Sequence, residues 1–202
     1  GYVFPDTYEF YKGESARSAL KRFLKNAEKK LDESIKARCD ELGFTVDEIL
    51  TLASIIQEEA GNPAEMGKVS SVIHNRLESS RFPKLQCDVA TFYLRDYVKP
   101  YFEQAEYEGF IDFYNTYNCE GLPEGPITNS GIDAVNAALS HGLFNDFADL
   151  TSVKAHDRAV QLDLQPVGAG VFAGGGDKGG HGTVFVFGID GGIVLHLDVV
   201  VL

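Results

Sequence analysis

One segment constrains the fold more than any other, because the start of its helix is specified twice by local sequence. Thr45 and Glu48 stand in the register of a capping box, and Phe44 and Ile49 occupy the positions of a hydrophobic staple. The spacing therefore predicts a helix that begins near Val46. It is the best-marked element of the chain, and we expect helices to dominate the first 80 residues.

Three further helical segments are expected around it. Apolar residues recur at three- and four-residue spacing over 15–42, which predicts one long amphipathic helix or two joined helices that end at Gly43. Asn62 as a cap and Pro63 at the first helical position open another helix. A short helix is predicted over 132–139, after the turn signals of 121–126.

The second half of the chain has a different pattern. Residues 82–130 are crowded with Phe and Tyr and read as irregular, and such rings suit either a core edge or the stacking of sugar rings. Residues 183–187 and 193–197 flank the turn 190–192 like the arms of a β-hairpin. The predicted fold class is α+β, with a mainly helical region, an aromatic irregular segment along one side of a cleft, and a C-terminal β-hairpin.

Composition excludes several classes of function. The chain has 202 residues, with 18 Lys and Arg against 30 Asp and Glu, and a formal net charge of −12. A surface this negative repels phosphate backbones, so we expect no nucleic-acid partner. The sequence has no run of about 18 apolar residues and no export-signal pattern, so the chain is expected to be soluble as given, and its start looks cut from something longer.

The cysteines do not suggest a metal or redox site. Cys39, Cys87 and Cys119 lie far apart, without the C-x-x-C spacing of a zinc knuckle or a redox pair. We expect small buried hydrophobic side chains, of which at least one is a free thiol. The glycine-rich run 174–180 lacks the register of a phosphate-binding loop. No metal and no cofactor are predicted.

One carboxyl group has a position suited to acid catalysis. With roughly 100° per helical residue, the apolar positions of 49–60 form a buried stripe. Glu58 falls opposite this stripe, whereas Glu59 lies on its flank beside Leu52 and Ile55. Loss of hydration there would raise the pKa of Glu59 and allow it to act as a general acid near neutral pH. The alternative is a plain surface charge in the last helical turn.

Several motifs together resemble those of the YceG-like endolytic murein transglycosylases, the MltG family. They occur in order over residues 1–141. The matching runs are GYVFPDTY (1–8), ASIIQEEAGN (53–62), KV (68–69), NRL (75–77), LQCD (85–88), YNTY (114–117), GLPEGPI (121–127) and GIDA (131–134).

The resemblance implies cleavage of the β-1,4 bond between N-acetylmuramic acid and N-acetylglucosamine in peptidoglycan, leaving a 1,6-anhydro sugar end. In such enzymes one glutamate protonates the leaving oxygen and then accepts the proton of the muramoyl C6 hydroxyl. The family's glutamate corresponds to Glu59. Glu58 is the alternative, and Gln57 stands where relatives often have another glutamate.

The same resemblance assigns substrate-binding residues. Tyr114 and Asn115 match a tyrosine-asparagine motif and are expected to position the substrate, with Gln86, Asp88 and Tyr117 as further candidates. Structural alternatives remain: Asn115 can hold a turn and Asp88 can cap a helix.

Two regions are expected. Residues 1–141 form the catalytic region, and residues 142–202 form a glycine-rich, β-leaning extension packed on the same domain. Beyond His141 the chain departs from the family pattern, so His181 is more simply incidental than catalytic. Arg76 interrupts the apolar face of its helix and is expected to form a structural ion pair, or else to extend to solvent.

Two other functions compete with this one. A non-catalytic module that binds or scaffolds peptidoglycan would keep the same fold. Some relatives carry the label of aminodeoxychorismate lyases, which use pyridoxal phosphate, but no lysine here has the surroundings of a Schiff-base site.

Full-length family members have a membrane helix and a small glycan-binding domain ahead of this region. The resemblance therefore implies a protein tethered at the extracytoplasmic face of the bacterial membrane. Its expected partners are peptidoglycan glycan strands and cell-wall synthases.

Overall fold

The computed structural model describes residues 1–140, 181–185 and 196–201. These residues form two compact units: one contains Gly1 and residues 31–140, and the other contains residues 2–30 and two strands near the C-terminus. The elements are β1 (Tyr8–Phe10), α1 (Ala16–Lys30), α2 (Glu33–Leu42), α3 (Val46–Glu59), α4 (Pro63–Leu77), α5 (Asp88–Tyr93), α6 (Gln104–Tyr114), α7 (Ile132–Ala138), β2 (His181–Phe185) and β3 (His196–Val201). The described chain is mainly helical, as predicted.

The core of the larger unit is built around α3. Every residue from Ile49 to Ile56 is buried, because α2, α4, α5 and α7 all pack against this helix. Its two buried hydroxyl groups are satisfied within the helix: Thr51 Oγ1 donates to the carbonyl of Asp47 (2.9 Å), and Ser54 Oγ donates to that of Thr51 (2.7 Å). The predicted apolar stripe is therefore one side of a helix that is buried almost all round.

The predicted helix starts are confirmed. Thr45 Oγ1 accepts the backbone N–H of Glu48 (3.2 Å), and the Glu48 carboxylate accepts that of Thr45 (2.7 Å), which completes the capping box. The side chain of Asn62 accepts the N–H of Ala64 (3.0 Å) at the start of α4. Both ends of the connection that leads from α3 to α4 are thereby defined.

Of the two alternatives for 15–42, the chain adopts two helices, α1 and α2. The break is made by Asp32, whose carboxylate accepts the N–H groups of Ser34 (2.9 Å) and Ile35 (3.1 Å). Gly43 follows α2 with a φ of +74°, a left-handed conformation that favours glycine.

The prediction that 82–130 is irregular is wrong for residues 88–114, which are largely helical. Helix α5 continues into a π-helical turn (Leu94–Val98) and a 3₁₀ turn (Lys99–Tyr101), and α6 follows. The physical reason is a stripe of buried residues at every fourth position, Ala90, Leu94 and Val98. The many aromatic residues around it obscure this period in the sequence.

Helix α4 is tied to α7 by buried polar side chains. Ser70 Oγ donates to the carbonyl of Ala137 (2.7 Å), and His74 Nε2 lies 2.9 Å from the carbonyl oxygen of Ala138. These contacts fix one side of α4 against α7.

In the smaller unit, Tyr8 packs edge-on against Phe23, with ring centroids 4.6 Å apart, and its hydroxyl donates to the carbonyl of Phe4 (2.7 Å). Strand β3 pairs in parallel with β1 and antiparallel with β2. The predicted turn at 190–192 lies outside the described residues, so the hairpin stays a prediction. Most of 142–202 also lies outside them, and the division at residue 141 is equally untested.

Within the described ranges, each helix is too short or too polar to cross a membrane.

Candidate active site

Glu59 is the last residue of α3 and is half-buried, whereas Glu58 is exposed. The predicted difference between these neighbours is confirmed, because successive positions on a helix face different directions. The capping box at the start of α3 and the packing along its length determine where Glu59 emerges from the core.

Glu59 opens into a pocket of about 110 Å³. Residues from α3, α4, the segment before α5 and the turn after α6 line it. They are Glu59, Val69, Val72, Ile73, Arg76, Leu85, Gln86, Cys87, Asp88 and Tyr117. The pocket thus combines apolar side chains of α4 with the carboxyl group of Glu59 and a small set of other polar groups.

The surroundings of Glu59 raise its pKa above the ordinary value. Burial is the largest cause, and the negative charge of Asp88 acts in the same direction. Three groups oppose this by favouring the carboxylate: the Cys87 thiol, the positive charge of Arg76, and the backbone N–H of Val89. A carboxyl group in this position can hold a proton at higher pH than a surface glutamate and still be stabilised after releasing it.

Cys87 is buried beside this carboxyl group, and its Sγ also lies 3.6 Å from the carbonyl oxygen of Leu85. Burial, followed by the charge of Glu59, raises the pKa of the Cys87 thiol to about 12. The thiol therefore stays protonated at neutral pH, where it can donate a hydrogen bond and is a poor nucleophile.

Asp88 and Tyr117 form one unit at the mouth of the pocket. The Tyr117 hydroxyl donates to Asp88 Oδ1 at 2.6 Å. This hydrogen bond, assisted by burial, raises the pKa of Tyr117 to about 12. The phenol is thus held as a donor, while Tyr117 as a whole remains 42% exposed and available for contact with a ligand.

Arg76 lines the pocket from α4, and its guanidinium donates to the carbonyl of Leu85. The sequence favours an ion pair at this position, whereas the guanidinium hydrogen bond in the structure is to a backbone carbonyl. Arg76 thereby holds the segment that carries Cys87 and Asp88.

Gln86 is exposed at the pocket and has a φ of +52°, which is uncommon for a residue other than glycine. Its backbone N–H donates to the carbonyl of Thr116 (3.0 Å), so a hydrogen bond to the segment after α6 helps to maintain this conformation.

Tyr114 and Asn115 are not among the described residues that line the pocket. The Tyr114 ring packs against Tyr93, with centroids 5.3 Å apart. Asn115 Oδ1 accepts the backbone N–H of Tyr117 (3.0 Å), which matches the structural alternative of a turn-holding residue. The structure therefore brings together Glu59 with three of its predicted partners, and leaves this pair outside.

Sequence reasoning missed Cys87 as part of the site. The sequence predicts a small buried hydrophobic residue at Cys87, which describes its burial but not its effect on the Glu59 carboxyl group. Its position next to Asp88, within a motif already singled out, was the available signal.

A second, wider depression of about 610 Å³ lies elsewhere on the larger unit, between Leu42, Phe44, His74 and Pro123. Three carboxylates line it, Glu48, Glu78 and Glu124, and Glu48 is engaged in the capping box. We take the smaller pocket as the candidate site because the half-buried Glu59 with its raised pKa opens into it. No group of three or more metal-ligating side chains occurs within the part of the chain that the structure describes.

Comparison with known proteins gives consistent results. The sequence model of the YceG-like family matches residues 1–143. The chain is 36% identical over 141 residues to a protein named endolytic murein transglycosylase from Bacillus subtilis, covering 69% of this chain and 38% of that protein. A protein of the same name from Streptococcus pneumoniae is 28% identical over 173 residues, covering 81% of this chain and 30% of that protein.

A crystal structure of a YceG-like protein from Listeria monocytogenes is also similar, with a TM-score of 0.58 and 31% identity. The match covers 70% of this chain and 45% of that one. The chain thus spans less than half the length of each of these relatives.

Proposed function

This chain belongs to the YceG-like family, and on that basis we propose that it is the catalytic region of a peptidoglycan lytic transglycosylase. The relatives named endolytic murein transglycosylases support this assignment. The observation that carries it is the half-buried Glu59 with a raised pKa in a pocket.

In the proposed reaction, Glu59 supplies both proton transfers. The protonated carboxyl group donates its proton to the glycosidic oxygen as the C1–O bond of N-acetylmuramic acid breaks. The resulting carboxylate then accepts the proton of the C6 hydroxyl as O6 attacks C1, which closes the 1,6-anhydro ring without consuming water. A single carboxyl group suffices, in contrast to the paired carboxyl groups of ordinary glycosidases.

The remaining pocket residues suit each stage of this cycle. Burial and Asp88 favour the protonated acid of the resting state, while Cys87 and Arg76 stabilise the carboxylate formed after the first transfer. A general acid works best when its pKa is near the operating pH. Groups that raise the pKa of Glu59 and groups that lower it are both present, which is one way to bring the pKa into that range. Asp88 and Tyr117 then present a carboxylate oxygen and a ring to the sugar.

The pocket is smaller than the roughly 300–1,000 Å³ of typical small-molecule sites. We therefore expect it to receive the region of one linkage, with the rest of the strand lying over the surrounding surface. Gln86 and Tyr117 are exposed at its edge and are the proposed contacts for that part of the glycan. Tyr114 and Asn115 are proposed to position the substrate indirectly, through the turn that directs Tyr117.

The test is incubation of the purified protein with isolated sacculi, with soluble products identified by mass spectrometry. Anhydromuramoyl ends are expected. Glu59→Gln should lower the rate by about 10²- to 10⁴-fold, the usual contribution of a general acid or base. Glu58→Gln is the matched control, since it changes the neighbouring exposed carboxyl group, and it should retain activity.

Two outcomes would contradict the proposal. Sacculi that are bound but not cleaved would leave a non-catalytic binding or scaffolding module. Unchanged turnover in Glu59→Gln would refute the assignment of the acid.

For the whole protein, we propose a location at the extracytoplasmic face of the bacterial membrane, with peptidoglycan strands as substrate and cell-wall synthases as partners. This chain spans only part of its relatives' length, so the tether would belong to the remaining part.

A further inference from the structure

Thr116 is fully buried and does not line the pocket, but it forms hydrogen bonds to Gln86 and Cys87, which do line it. Its Oγ1 accepts the backbone N–H of Cys87 (2.9 Å) and donates to the backbone carbonyl of the same residue (3.0 Å). Its own carbonyl accepts the N–H of Gln86 (3.0 Å). One residue therefore makes three hydrogen bonds to two consecutive residues of the pocket wall.

These bonds replace the secondary structure that the segment lacks. Cys87 precedes α5 without a side-chain cap, and Gln86 has a left-handed φ of +52°. Backbone groups that are buried without partners are unfavourable, and an uncommon φ persists only where the surroundings impose it. A hydroxyl is suited to this place because it can donate and accept at once.

The segment held in this way carries the groups that face Glu59. The Cys87 thiol and the backbone N–H of Val89 favour the Glu59 carboxylate, and the negative charge of Asp88 disfavours it. From the other elements, Arg76 of α4 holds the carbonyl of Leu85, and the Tyr117 hydroxyl holds Asp88 at 2.6 Å.

We propose that Thr116 is a positioning residue for the reaction proposed above, holding Cys87 and Asp88 in place against Glu59. It acts through hydrogen bonds to backbone and contacts neither the substrate nor the reacting atoms. The inference rests on the proposed function for its kinetic consequence, but not for its effect on the carboxyl group.

The informative variant is Thr116→Val, which keeps the shape of the side chain and removes its hydroxyl. A displacement of about 1 Å in a catalytic group can lower a rate by about 100-fold, so kcat should fall by about 10- to 100-fold while KM changes little. Thr116→Ser retains the hydroxyl and should restore most of kcat. Thr51→Val is the matched control, since Thr51 is equally buried but bonds to its own helix.

The titration of Glu59 separates positioning from a general loss of stability. The thiol of Cys87 and the N–H of Val89 lower its pKa whereas the charge of Asp88 raises it, so displacing this segment should change the pKa and move the alkaline limb of the pH–rate profile. The side-chain carboxyl group can also be followed directly by ¹³C NMR in wild type and Thr116→Val. Cys87→Ala, which removes the thiol alone, should raise this pKa, and Thr116→Ala replaces Thr116→Val if that variant does not fold.

The proposal is overturned if the Glu59 titration of the variants matches wild type, or if Thr116→Ser is as impaired as Thr116→Val. A wild-type protein that releases no anhydromuramoyl product would refute the proposed function instead. In that case the NMR titration still decides whether Thr116 controls the surroundings of Glu59.

Discussion

Three consecutive side chains at the end of α3 have three different environments. Gln57 is half-buried and its Oε1 accepts the N–H of Gly131 (3.0 Å), which connects α3 to the start of α7. Glu58 is exposed, and Glu59 lies in the pocket. The rotation of the helix by roughly 100° per residue is sufficient to give one residue a structural contact, one the solvent and one the proposed chemistry.

The raised pKa of Glu59 has a consequence for stability. Folding disfavours the carboxylate, so the folded state binds the proton more tightly than the unfolded state, and the free energy of unfolding falls as pH rises from about 4.5 through the folded-state pKa. Glu59→Gln removes this penalty. The variant should be more stable than wild type at pH 7, and the difference should shrink as pH is lowered toward about 4.5.

Urea denaturation across this pH range measures the effect, with Glu58→Gln as the exposed control. A wild-type protein that is as stable as Glu59→Gln at pH 7 would show that the carboxyl group is well hydrated after all.

At the scale of elements, α3 serves as the support for the site. Its capped start lies at Thr45, its middle is packed on all sides, and its last residue is Glu59. Such an element could be predicted from sequence because its start is specified by residues three positions apart. Helices α5 and α6 could not, since their aromatic-rich residues gave no comparable cap and obscured the spacing of Ala90, Leu94 and Val98.

Removing the cap of α3 should affect stability more than chemistry. Thr45→Ala removes the acceptor for the N–H of Glu48 and should lower the free energy of unfolding by about 0.5–2 kcal/mol. Thr45→Ser keeps the acceptor and should stay close to wild type. Activity per folded molecule should change little in both, because the site is at the opposite end of the helix.

Chemical denaturation measures the free energy of unfolding, and the sacculus assay measures the activity per folded molecule. A loss of activity that exceeds the loss of folded protein in Thr45→Ala would indicate that α3 does not hold Glu59 independently of its start.

At the scale of the whole molecule, the negative net charge of the chain is compatible with the substrate proposed for it. A net charge of −12 opposes binding to nucleic acids, whereas the glycan proposed as substrate is neutral along its sugar rings. Short oligosaccharides should therefore bind weakly, and the repeated sites of intact wall should compensate by multivalency.

This balance predicts how activity responds to salt. Removal of the peptide stems from glycan strands exposes a lactyl carboxylate on each N-acetylmuramic acid, so against a chain of net charge −12 kcat/KM should rise as the Debye length falls from roughly 30 to 3 Å between about 0.01 and 1 M salt. Kinetics at constant pH over this range provide the measurement. A steep fall with salt would instead indicate that long-range charge attraction contributes to binding.

The sequence by itself determined the features that depend on neighbours within a few positions: the start of α3 at Thr45, the break that Gly43 makes after α2, and the difference in exposure between Glu58 and Glu59. Only the tertiary structure decided which groups face Glu59, and that Tyr114 and Asn115 lie outside the pocket. The reason is distance along the chain. Caps and stripes are local interactions, whereas the contact of Thr116 with Cys87 joins residues 29 positions apart and forms only when the helices pack.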